Sequence, residues 1–156
     1  MTFGPRSNYV LIVLLALLAA PAFAADTQYS TALDPVAFDN STVKTTVGCG
    51  AVTGTLSGNI LTVSGTYSGL SSEATAAHLQ IGQGYGIAGG PTGGMAGAPI
   101  GDLAVSGGTN GKISGSLKLT SAQVKALGQG AVYLLVTSTN APKGNLWGWL
   151  HLPDNS

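Results

Sequence analysis

The side chains able to do acid–base, nucleophilic or metal chemistry are few: one cysteine, Cys49, two histidines, His78 and His151, and six carboxylates. Imidazole, thiolate and thioether suit copper, so His78 and His151, with Cys49, Met95 or Asp102 as further ligands, form the one candidate metal set. These residues are scattered along the chain, with no C-x-x-C and no close histidine pair. A strand histidine held by a hydrogen-bond partner accounts for each of them as well. Neither histidine has an acid and a nucleophile near it in sequence, so a hydrolytic triad would have to be assembled by the fold. Asp34, Asp39, Glu73, Asp102 and Asp154 stand apart and read as solvated or turn-capping groups, not as a glycosidase carboxylate pair. The expectation is therefore a non-enzymatic chain with no cofactor. Cys49 has no partner for an internal disulfide and reads as a small buried residue.

The aromatic residues carry the stronger signal. In "GNLWGWLHL", Gly144 to Leu152, an extended backbone sends Leu146, Leu150 and Leu152 one way and Trp147, Trp149 and His151 the other. One face must be core, and the other holds both tryptophans of the chain. Two readings follow. Trp147 and Trp149, bordered by Tyr133, His78 and His151, form a contact surface for a protein or glycan. Alternatively, a glycine-rich loop folds over them as a second layer of core, because large exposed apolar patches are rare on monomers.

The elements that must position these residues begin after a leader. Arg6, the apolar run Tyr9 to Ala20 and the small-residue pattern Ala22-Phe23-Ala24 read as a signal peptide over residues 1–24. The mature chain is then expected in the periplasm or secreted, with no membrane segment. It keeps five lysines against six acids, so no basic field is present to attract nucleic acid or anionic lipid. Only 8% of the whole chain is charged, which protects weakly against self-association.

Residues 25–49 read as an entry segment with one or two edge strands, 50–152 as the domain and 153–156 as a tail. From Gly50 the pattern is that of strands: Leu56, Ile60 and Val63 punctuated by Ser-Gly and Gly-Asn turns, then "ATAAHLQIG", with Leu79 and Ile81 on one face and His78 and Gln80 on the other. Gly82 to Gly111 holds half of the chain's 24 glycines and is expected to be mostly loop, with a short strand at Asp102 to Val105. Its "GQGYGIAG" lacks the Lys-Ser/Thr and the helix that make a phosphate-cradling loop work. "GKISGSLKL" returns to strand, and its start echoes "GTLSG" at Gly54. Thr120 and Gln123 then predict a capped helical turn ending at Gly128. "AVYLLVTST" and "NLWGWLHL" complete seven or so strands, which predicts an all-β, immunoglobulin-like antiparallel β-sandwich with that one short helical turn.

Two long stretches, "GTLSGNILTVSGTYSGLSSEATAAHLQIG" and "LTSAQVKALGQGAVYLLVTSTNAPKGNLWGWL", closely resemble the CHRD domain, a module named after chordin and found in many exported bacterial proteins. The resemblance runs from Gly50 to Leu150. It implies an immunoglobulin-like extracytoplasmic domain with no established catalytic activity. Typical members read like "AHIH", "YVNVHT" and "GEIRGQL" where this chain has Ala77 to Gln80, Tyr133 to Ser138 and Gly144 to Leu150. The departures, Gln80, Leu135, Thr137, Asn145, Trp147 and Trp149, share one face by strand parity. A polar face in the typical member is here apolar and aromatic, with His78 retained.

Overall fold

A computed structural model describes Met1 and residues 25–36, 40–82 and 97–153. The expected leader, residues 83–96 of the glycine-rich segment, and Asp39, Met95 and Asp154 lie outside the described residues. In chain order the elements are β1 (Thr27–Pro35), β2 (Cys49–Ser57), β3 (Ile60–Ser68), β4 (Ala74–Ile81), β5 (Ala98–Val105), β6 (Gly111–Lys118), α1 (Ser121–Gly128), β7 (Val132–Ser138) and β8 (Ala141–Trp149). Among these, no helix is long and apolar enough to cross a membrane.

The strands close into one antiparallel barrel in the order β1-β2-β3-β6-β5-β4-β7-β8. This corrects the expected immunoglobulin-like sandwich. Two short seams make the difference. β1 pairs with β8 at Asp34–Trp147 and Pro35–Leu146, with a bridge at Ser30–His151, and β5 pairs with β6 at Ala104–Ser114 and Val105–Ile113. Each seam joins strands that would be open edges in a two-sheet sandwich. β1, expected as an edge strand of an entry segment, is thus a stave of the barrel, paired along most of its length with β2.

Alternation decides what fills the interior. Leu33, Val52, Leu61, Val63, Leu79, Ile113, Leu134 and Leu146 point inward and are almost wholly buried in one cluster. Each such side chain contributes about 1.5–3 kcal/mol by leaving water. The barrel is narrow enough that some inward positions must be glycine: a Cβ on Gly115 would lie 2.6 Å from Leu103 Cδ2, and one on Gly65 would lie 2.7 Å from Val52 Cγ2. Large and small residues thus sit side by side on neighbouring strands, Val52 beside Gly65 and Leu103 beside Gly115, and side chains fill the lumen. β3 is offset from the sequence expectation: Leu61 and Val63 point in, and Ile60 is exposed.

The helix forms where its signals stand. The Thr120 hydroxyl accepts from the Gln123 amide at 3.3 Å, and the Gln123 side chain accepts from the Thr120 amide at 2.8 Å, the reciprocal pair of a capping box. α1 bridges β6 to β7 and sends Leu127 into the main core. A buried polar contact fixes another connection: fully buried Asn145 accepts from the Ser138 hydroxyl at 2.9 Å and donates to the Val47 carbonyl at 2.8 Å. It ties the segment between β1 and β2 to β8.

Candidate functional site

β7 is buried on both faces, which is unusual for a barrel strand. Val132, Leu134 and Val136 face the lumen, while Tyr133 and Leu135 face outward into a second, smaller cluster with Val36 and Trp149. Register explains the meeting: Tyr133 lies opposite Trp149, and Leu135 opposite Trp147. Trp147 packs against this cluster and is half-buried. The three rings meet edge to face, Tyr133 to Trp149 at 5.1 Å, Trp147 to Trp149 at 5.7 Å and Tyr133 to Trp147 at 6.3 Å between centroids. Such contacts add about 0.5–1.5 kcal/mol each beyond their buried area.

The parity read for β8 holds for Leu146 and Leu150, which are buried in the lumen, and for Trp147 and Trp149, which face away from it. The structure divides the tryptophans: Trp149 is 8% exposed, whereas Trp147 keeps an accessible surface. Gly82 and Gly97, which flank the undescribed part of the glycine-rich loop, lie on the same rings. A Cβ on Gly82 would fall 2.5 Å from the Trp149 indole, and the Gly97 amide donates to the Tyr133 hydroxyl at 3.0 Å. That hydroxyl in turn donates to the Gln80 side chain in a short hydrogen bond. Burial raises the Tyr133 pKa above its ordinary 10.0, and the Gly97 hydrogen bond acts in the opposite sense.

His78 lies in the same outward row, opposite Leu135 on one side and Asp102 on the other. Its Nδ1 is 2.7 Å from Asp102 Oδ1, with Asp102 83% exposed. His151 sits beyond the end of β8, where its Nδ1 donates to the Ser30 carbonyl at 2.7 Å. The two histidines are two strands apart and four residues out of step, a separation of roughly 15 Å from strand geometry. They do not share a site, so the metal set built on that pair is not assembled. Among the described residues no group of three or more His, Cys, Asp and Glu side chains is placed to hold a metal ion. Cys49, expected to be buried, is exposed on β2 with its Sγ 3.6 Å from the Ser68 hydroxyl.

Sequence reasoning missed the feature beside the tryptophans. The β1–β8 ladder is interrupted between Asp34–Trp147 and Ser30–His151. At this interruption lies an open groove of about 330 Å³, floored by Ala32 and Gly148, walled by Trp147 and Trp149, and edged by Thr31, Asp34 and His151. Asp34 has no motif around it and reaches the site through pairing of the first strand with the last, which no local pattern announces. Chemically the arrangement offers one accessible indole, one carboxylate and neighbouring hydrogen-bonding groups, a set able to stack against a flat apolar face and to exchange hydrogen bonds beside it.

The CHRD domain family model matches residues 29–150, so the match takes in nearly all of β1 and runs to the end of β8. No curated protein and no solved structure matches the chain. With most of its length matched, and every strand of the barrel represented in the match, the chain belongs to the CHRD domain family.

Proposed function

We propose that the protein is a non-enzymatic binding module, exported to the periplasm or secreted, whose contact surface is the outward face of β7 and β8 centred on Trp147. Membership of the CHRD family and the signal-peptide pattern of residues 1–24 support the setting. The observation that carries the binding role is the accessible Trp147 indole, braced edge to face by buried Trp149 and Tyr133 beside an open groove. A rigid, pre-ordered aromatic residue gives contact area with little entropy lost on binding. Trp149, Tyr133 and Leu135 support it from beneath; His78 and His151 stand at opposite borders.

Acrylamide quenching of the Trp149→Phe variant, with tryptophan-selective excitation, tests this reading, because Trp147 is then the only tryptophan. The expected signal is red-shifted and readily quenched. Blue-shifted emission that acrylamide does not reach would mean that Trp147 is covered in the protein, and the contact-surface reading would fall.

A further inference from the structure

We infer that the groove at the β1–β8 seam binds a neutral, β-linked, gluco-configured oligosaccharide, with Trp147 as stacking platform and the Asp34 carboxylate as acceptor for vicinal sugar hydroxyls. The inference rests on the proposed role of the Trp147 face and names its ligand class.

Four observations converge. Trp147 and Asp34 are direct cross-strand partners on β8 and β1, so an aromatic surface and a carboxylate stand side by side. Side chains directly opposite on paired strands have Cβ atoms only about 4.5–5.5 Å apart, within reach of a single sugar ring. The groove is shallow and large enough for a disaccharide-sized ligand at about 330 Å³. Its described lining contains one acid and no lysine or arginine.

These features separate ligand classes. An extended peptide that adds to a sheet needs a run of free edge, and the seam is interrupted only between Asp34–Trp147 and Ser30–His151. Phosphate, sulfate or uronate groups would meet the Asp34 carboxylate with no lysine or arginine in the groove lining to offset it. A quaternary ammonium ion is attracted by indoles and a carboxylate, but a cage requires several open ring faces. Here the rings of Tyr133, Trp147 and Trp149 are turned on one another at 68–78° and Trp149 is buried, so a single platform remains. One flat apolar platform flanked by polar groups matches a pyranose whose hydroxyls are equatorial, since its axial C–H bonds make an apolar face and its hydroxyls radiate from the rim. The carboxylate accepts charge-assisted hydrogen bonds from those hydroxyls.

The test is tryptophan emission of the purified protein titrated with cellohexaose, beside separate titrations with choline and with glucuronic acid. Cellohexaose should shift the emission saturably, while the other two do not. Asp34→Asn, which keeps the shape of an exposed side chain, should weaken binding about tenfold, equivalent to loss of one strong polar contact. Trp147→Ala, followed by isothermal titration calorimetry because the accessible emitter is removed, should abolish binding, and Thr62→Ala, on β3 away from the seam, should leave it unchanged. Saturable binding of choline in place of the sugar, no response to cellohexaose, or undiminished sugar binding by Trp147→Ala would each overturn the inference. Acrylamide accessibility of Trp147 distinguishes the two failures: an accessible Trp147 without sugar binding removes the glycan alone, and an inaccessible one removes the contact surface too.

Discussion

One hydroxyl, that of Tyr133, connects three parts of the aromatic face: its own strand β7, Gln80 on β4 and the Gly97 amide at the entry to β5. Tyr133→Phe removes both hydrogen bonds while keeping the ring, so urea unfolding should show a loss of about 1–2 kcal/mol. The same residue gives a pH dependence with a definite sign. Burial favours the neutral phenol of Tyr133, and likewise of Tyr29, so both titrate above 10.0 in the folded chain. Their contribution is complete below the unfolded pKa and is lost as pH rises through the folded value. Unfolding midpoints should therefore fall above about pH 10, and less steeply in Tyr133→Phe. An equal alkaline slope in both proteins would contradict the assignment. The His78–Asp102 pair makes a contrasting prediction. Because Asp102 is 83% exposed, solvent screens the pair, and Asp102→Asn should change stability by less than about 1 kcal/mol. A larger loss in the same urea assay would show that the pair fixes something beyond itself.

Local signals were legible at the scale of elements. The start of the helix is announced by Thr120 and Gln123 because a capping box lies within four consecutive residues and needs no tertiary partner, whereas the left-handed glycine past its end is Gly130 and not the expected Gly128. Thr120→Ala should accordingly cost about 1 kcal/mol. Leu127→Ala, which empties a place in the main core, should cost about 2–5 kcal/mol. Thermal unfolding of the two variants should rank them in that order; the reverse would mean that α1 is held by its cap more than by its packing. Strand parity was legible too, in Leu79 against His78 and in Leu146 against Trp147, since inward and outward residues differ in kind. Parity failed where both faces of a strand start offer an apolar residue: Ile60 and Leu61 are adjacent, and only the register with β6, Ile60 to Lys118 and Leu61 to Leu117, shows which enters the lumen. The groove has no local sequence signal for a related reason, as Asp34 and Trp147 are far apart in the chain and meet only through the seam.

Closure is a property of the whole molecule, and alternation says nothing about it: a strand facing a lumen and a strand facing a second sheet carry the same pattern. What distinguishes them is whether the outermost strands find each other. In this chain they do, and β1 is the strand that decides it, because it pairs with β2 along most of its length and with β8 across the seam. β1 and the residue after it also bring Tyr29, Leu33 and Val36 out of water, at about 1.5–3 kcal/mol each. Without it, β2 and β8 would become free edges and the side of the core under Leu33 would open. The summed loss is comparable to the whole stability of a typical domain, about 5–15 kcal/mol. A chain limited to residues 50–152 should therefore show no cooperative thermal transition by circular dichroism and should elute as aggregate in size-exclusion chromatography. Adding a peptide of residues 25–36 in trans should restore a cooperative transition, since that peptide supplies the missing ladder. Cooperative unfolding of residues 50–152 alone would show that the remaining strands close or shield their edges without β1. The seam, and the groove within it, would then be additions to a fold already complete.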